Sequence, residues 1–215
     1  LDPSKGTIKI GFPTSLASYL LPTIISAFKK EYPDVSFQLR QGSYRFLIEA
    51  VKNRELNLAF LGPLPPKDEA IEPTVLFSEN ISALLPANHR LAKEKSINLI
   101  DLKDEDFVLF PEHYILYTVA VDACRSVGFV PNITSVGEDM DAIKGLVAAG
   151  VGVSLLPESS FYDSSPRFMV KIPIALPDIR RTVGIISPIN RDLAPSEQVF
   201  LTFVNDFFSR LTQFQ

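Results

Sequence analysis

The sequence predicts an α/β fold made of two units, and three observations carry that expectation. Short β-branched runs alternate with amphipathic stretches along the chain, the pattern of a mostly parallel sheet covered by helices. The length of 215 residues is enough for one large or two small units of this kind. Proline-rich breaks at 63–66 and 173–177 interrupt the alternation where a boundary region would lie.

The elements follow in order. Thr7, Ile8 and Ile10 form a first strand that stops at Gly11, and a Pro-Thr-Ser turn leads into a helix. Leu16, Leu20, Ile24, Ala27 and Phe28 recur at spacings of three and four, so that helix has one apolar face. Pro22 fits its first turn, and Lys29 and Lys30 complement its dipole at the far end. Val35, Phe37 and Leu39 alternate as a second strand, after which Ser43 is placed to cap a helix bearing Phe46, Leu47, Ala50 and Val51. A third strand, residues 56–61, runs into Gly62-Pro63. Residues 81–85 and 107–110 read as strands, 114–127 as a helix closed by Gly128, and 132–136 as a strand. Glu138, Asp139 and Asp141 open the next helix, which Gly150 ends before a strand at 151–156. Thr182 to Ser187 is a late strand. Ser196 to Leu211 is a helix burying Val199, Phe200, Phe203, Val204, Phe207 and Phe208.

Composition excludes several functions. Apolar residues make up 46% and charged residues 21%, ordinary values for a globular protein. A net charge of −4 without a basic tract gives this piece no surface for neutralising DNA phosphates. The single cysteine, Cys124, has no partner for a disulfide or a zinc site, which fits a reducing cytoplasm. Residues 1–6 lack the apolar stretch of a signal peptide, and no apolar run is long enough to span a bilayer. A start without Met at a Pro/Ser/Gly stretch reads as a fragment cut at a linker, or a processed chain.

Catalytic motifs are scarce, and neither histidine has a metal-ligand partner at helical or hairpin spacing. The lack of a paired acid/base or nucleophile disfavours an enzyme, so the expectation is a protein that is not an enzyme and carries no cofactor. His89, in Pro86-Ala87-Asn88-His89, reads as a surface turn residue, and His113 stands at a strand end where it can line a cleft. Cys124 reads as core packing. Glu138, Asp139 and Asp141 read as helix capping rather than metal ligation, and Gly150-Val151-Gly152 as a helix stop rather than a phosphate loop. A ligand site is better supported, because in a parallel sheet Thr14 and Ser15, Ser43 and Tyr44, and Gly62 all fall along one edge. Hydroxyls and helix N-termini there suit a carboxylate, with Arg40 and Arg45 as candidate anion partners.

An ordered series of segments resembles the effector-binding domain of LysR-type transcriptional regulators. It runs from Ile10-Gly11 through Leu20-Leu21-Pro22 and Tyr32-Pro33-Asp34-Val35 to Gln41-Gly42-Ser43 and Leu58-Ala59. It continues through Pro86 to Ala92 and closes with Val147-Ala148-Ala149-Gly150-Val151-Gly152 and Leu155-Leu156-Pro157. Arg40 to Tyr44, Gly137 to Gly145 and Pro166 to Pro173 are particularly similar to members of that family that activate glutamate synthase genes.

The resemblance implies two Rossmann-like subdomains of the type 2 periplasmic-binding-protein kind. Their boundaries would be 1–78 plus 183–215 and 79–182, with a winged helix-turn-helix and linker helix outside this chain. It implies an effector between them, 2-oxoglutarate or glutamate, touched by Thr14, Ser15, Leu16, Gln41, Ser43, Tyr44 and Gly62 from one side and by Phe110, Pro111, Gly137 and Glu138 from the other. Many family members have an acidic residue where Gln41 stands, so this edge accepts a dicarboxylate more easily. The resemblance further implies a homo-oligomer, a dimer or a full-length tetramer, that reaches DNA only through the missing domain and has no membrane partner. The first helix and the helix bearing Tyr114 and Tyr117 are the candidate dimer faces. A stand-alone solute-binding protein of a transport system is the alternative on the same fold.

Overall fold

The structure is a computed structural model, and it describes residues 2–17, 19–162 and 167–212; Leu1 and Pro166 lie outside the described residues. The chain opens with β1 (Gly6–Phe12), a short 3-10 turn (Thr14–Leu16) and α1 (Leu20–Glu31). β2 (Val35–Gln41), α2 (Tyr44–Lys52) and β3 (Leu58–Leu61) follow. Next come β4 (Ile71–Pro86), β5 (Ile97–Asn98), β6 (Asp106–Leu109), α3 (Ile115–Ser126) and β7 (Asn132–Val136). α4 (Met140–Ala148), β8 (Ser154–Pro157), β9 (Met169–Ile172), β10 (Ile174–Leu176), β11 (Arg180–Pro188) and α5 (Pro195–Thr212) complete it.

Two compact units result, Leu1–Ser78 with Thr182–Gln215, and Glu79–Arg181. The chain passes between them inside β4 and β11, not at the proline-rich segments. Those prolines mark loops instead, with cis peptides at Gly62–Pro63 and Leu176–Pro177. In the first unit β2, β1 and β3 are parallel and β11 runs antiparallel to β3. In the second, β6 and β7 are parallel while β8 and β9 both run against β4. The sheets are therefore mixed rather than mostly parallel, because the chain leaves along β4 and must come back along β11.

Each unit has a core on both faces of its sheet. In the first, Ile8, Ile10, Phe28, Phe60, Phe200 and Val204 pack α1 and α5 on one face. On the other face α2 buries Leu47, Ala50 and Val51 against Ala59, Leu61 and Ile186. Gly11 permits that approach, since a Cβ there would stand 2.5 Å from Leu47 Cδ2. In the second unit α3 covers Phe107, Leu109, Val153 and Leu155, and α4 covers Leu84, Val108 and Leu156. Helix stops follow the expected chemistry, with Gly128 at φ 92° after α3 and Gly150 at φ 80° after α4.

Candidate functional site

Strand register decides which loops of the first unit become neighbours. Gly11 pairs with Arg40 and Phe12 with Gln41 across β1 and β2, and the Gly42 N–H donates to the Phe12 carbonyl at 3.1 Å. On the other side of β1, Gly11 pairs with Ala59 of β3. Three parallel strands thus end together, and the loops bearing Thr14, Ser43 and Gly62 leave the sheet along one edge. Ser43 caps α2, its Oγ accepting from the Phe46 N–H at 3.3 Å. An accepting hydroxyl keeps its own proton to donate, and the first N–H groups of α2 point to the same edge.

Individual side chains refine the expected set. Thr14 and Ser15 do not open α1: they form a separate 3-10 turn, and α1 begins at Leu20, which keeps Pro22 in its first turn. Ser15 is buried, and Leu16 lies in the core, 1% exposed, so its side chain is packing rather than ligand surface. Gln41 and Arg45 are exposed. Arg40 is occupied, its guanidinium 3.5 Å from the Glu55 carboxylate and 4.5 Å from the centre of the Phe46 ring. Tyr44 is half-buried against the α2 core, and that burial pushes its phenol above the ordinary range.

In the second unit, Leu109 pairs with Val136, and the Gly137 N–H donates to the Leu109 carbonyl at 3.1 Å. Phe110-Pro111 and Gly137-Glu138 therefore leave the ends of β6 and β7 side by side. Phe110 is 2% exposed and stacks on Tyr114 at 5.5 Å, so its ring belongs to the α4 core. Asp139 caps α4, accepting from the Ala142 N–H at 2.8 Å, as expected of that acidic run. Burial raises the Tyr114 phenol, and the charges of Glu138 and Asp139 raise it further. Glu138 and His113 are both exposed. This edge is acidic, whereas the first unit's edge is made of hydroxyls and backbone N–H groups.

His89 departs from the surface role expected of it. Its side chain is only 10% exposed, with Nδ1 accepting from the Leu91 N–H at 3.1 Å and Nε2 lying 3.0 Å from Glu105. It pins its own turn. Cys124 is fully buried, and burial pushes its thiol up to about 12. A groove of about 640 Å³ runs between the end of α1 and α5, lined by Tyr32, Val199, Phe203 and Phe207, and none of the candidate residues lines it. No helix among the described residues is long and apolar enough to cross a membrane.

Sequence reasoning passed over one charged group altogether. Glu79 and Arg181, whose side chains are 5% and 0% exposed, form an ion pair at 2.7 Å. The Ser159 N–H and hydroxyl both donate to the same carboxylate at 3.0 Å. Burial pulls the Arg181 guanidinium below its ordinary range, and Glu79 opposes that pull. The available signal was a charge at the edge of an apolar run in each strand, Glu79 just before Ile81 to Leu85 and Arg181 just before Val183 to Ile186.

The comparisons with known proteins bear on the family and the fold. The family profile described as LysR substrate binding domain matches residues 2–209. The chain is 61% identical over its whole length to the transcriptional dual regulator GltC of Bacillus subtilis, spanning 72% of that protein. Among solved structures, it resembles HinK, a LysR family transcriptional regulator from Pseudomonas aeruginosa. There the identity is 26% and the TM-score 0.83, over 95% of this chain and 71% of that one. The effector-binding domain of QuiR, solved with shikimate, shares the fold at a TM-score of 0.86 and 24% identity, over 96% of this chain and 98% of that one.

Proposed function

Because the chain belongs to the LysR family as its substrate-binding domain, we propose that it senses a small dicarboxylate, 2-oxoglutarate or glutamate, for a regulator of glutamate synthase genes. The observation that carries the ligand class is the first unit's carboxyl edge. There β1, β2 and β3 end in register, and the loops bearing Thr14, Ser15, Ser43 and Gly62 meet the N-terminus of α2. A carboxylate at that edge takes hydrogen bonds from hydroxyls and backbone N–H groups, and the α2 dipole favours its charge. Arg45 is the candidate cation, since Arg40 is held by Glu55.

In this reading the effector acts by differential binding, stabilising one arrangement of the protein over another and so resetting the attached DNA-binding domains. Homo-oligomerisation and DNA contact through an N-terminal domain belong to the same proposal. Calorimetric titration with 2-oxoglutarate and with glutamate tests it. Saturable heat is expected for at least one, weakened about tenfold or more in Ser43→Ala and Arg45→Ala and left intact in Arg40→Ala. No heat and no thermal stabilisation at millimolar ligand would sink direct sensing.

A further inference from the structure

The buried pair in the second unit stands at a particular place in the chain. Glu79 is the first residue of that unit and Arg181 the last, so the two strands that enter and leave it are tied together where they cross. The same carboxylate also holds a 3-10 turn (Glu158–Phe161) through the N–H and hydroxyl of Ser159. One residue further on, the Ser160 carbonyl accepts from Lys144 Nζ of α4, itself buried at 7% exposure. α4 starts at the Gly137-Glu138-Asp139 edge. On the other side of Arg181, the next carbonyl, that of Thr182, accepts from the Leu64 N–H at 3.1 Å. Leu64 lies two residues beyond Gly62.

We propose that Lys144, Ser159, Glu79 and Arg181 form a polar relay that couples the position of α4 to the crossing strands β4 and β11 and, through Thr182, to the loop after β3. Three properties suit it to this. A buried, multiply hydrogen-bonded ion pair is stiff, because stretching it leaves charges uncompensated in a poorly solvated interior. The 3-10 turn is short, so a shift of the Ser160 carbonyl with α4 has little slack before it reaches Ser159. Lys144 belongs to the helix that follows the Gly137-Glu138-Asp139 loop, and Leu64 to the loop that carries Gly62. The regulatory use of the relay rests on the effector reading of those loops. The coupling itself needs no ligand.

Hydrogen–deuterium exchange on the chain without ligand tests it. Lys144→Met should speed exchange about tenfold around residues 79–82, 180–184 and 62–66, outside α4 and the 3-10 turn, and Lys144→Arg should restore protection. Ser159→Ala, which removes a single side-chain hydrogen bond, should reproduce the pattern at smaller amplitude even if Lys144→Met folds poorly. Cys124→Ala, a core change outside the relay, is the comparison for general loosening. Changes confined to 140–148 and 158–162, changes spread as in Cys124→Ala, or no change would each overturn the relay. Failure of 2-oxoglutarate and glutamate to bind would overturn the effector reading and leave this result standing.

Discussion

Asp68 shows how one side chain can organise a loop. Its carboxylate lies 2.7 Å from Lys52 Nζ and accepts from the N–H groups of Ala70 and Ile71 at 2.7 and 2.9 Å. These donors hold its pKa at about 2, below the ordinary 3.8, with the Lys52 contact the largest cause. A depressed folded pKa contributes stability that is present above the unfolded value and is lost as pH falls through the folded one. Asp68→Asn should therefore melt below the wild type at neutral pH. In melting curves recorded against pH, the gap should close between about pH 4 and pH 2.

Cys124 makes the opposite point, since it is polar only in name. With no exposure and a thiol pushed up to about 12, it should resist thiol reagents until the chain is denatured, as a timed labelling assay would record. Cys124→Ser should cost about 1–3 kcal/mol in urea unfolding, because it buries a hydroxyl among Ala120, Val121 and Phe107. The burial of Cys124 was legible in the sequence from its apolar helical neighbours. The burial of His89 was not, because its partner Glu105 lies beyond the turn that local sequence describes.

Among elements, helices were read more securely than strands. The face of α5 came through because Phe200, Val204 and Phe208 repeat at helical spacing, and all three are buried. β4 was read as 81–85 and runs from 71 to 86. The part before residue 81 carries Glu72, Pro73, Glu79 and Asn80, which look like loop residues until the fold supplies Glu79 with Arg181 as a partner. β5, β9 and β10 are too short to show a period of two. The start of α1 was misplaced because no local rule separates a 3-10 turn from the helix that follows it.

One element contact is exceptionally close. A Cβ at Gly184 of β11 would fall 2.1 Å from the Thr74 carbonyl oxygen and 2.5 Å from Leu64 Cδ1. The first obstacle is backbone, which cannot step aside as a side chain can. Gly184→Ala should therefore destabilise the chain by about 3 kcal/mol or more, or prevent folding, as read by chemical denaturation.

For the whole molecule, the fold class and the family were legible because the matching segments recur in order from β1 to β8. The candidate edge of the first unit was legible in the same way, from loops that follow successive strands. Which side chains are accessible was not, since Leu16 at that edge and Phe110 in the second unit turn into their cores, and Arg40 is held by Glu55. Net charge is the whole-molecule quantity that bears on nucleic acid. At −4 with no basic tract, the chain alone should leave duplex DNA unshifted in a gel at low salt, where phosphate contacts are strongest.

The passage of the chain through β4 and β11 has a topological consequence. The segments on either side of the second unit both belong to the first, and where the chain leaves and returns, Ser78 Oγ and Thr182 Oγ1 are 3.4 Å apart. Everything from Glu79 to Arg181 is thus an insertion whose two ends are neighbours. It enters and exits through adjacent residues, as a cassette does, and exchanging it would leave the strand order β2-β1-β3-β11 of its host untouched. A fold joined in this way allows one half to be exchanged for another over evolutionary time while the other half keeps its core.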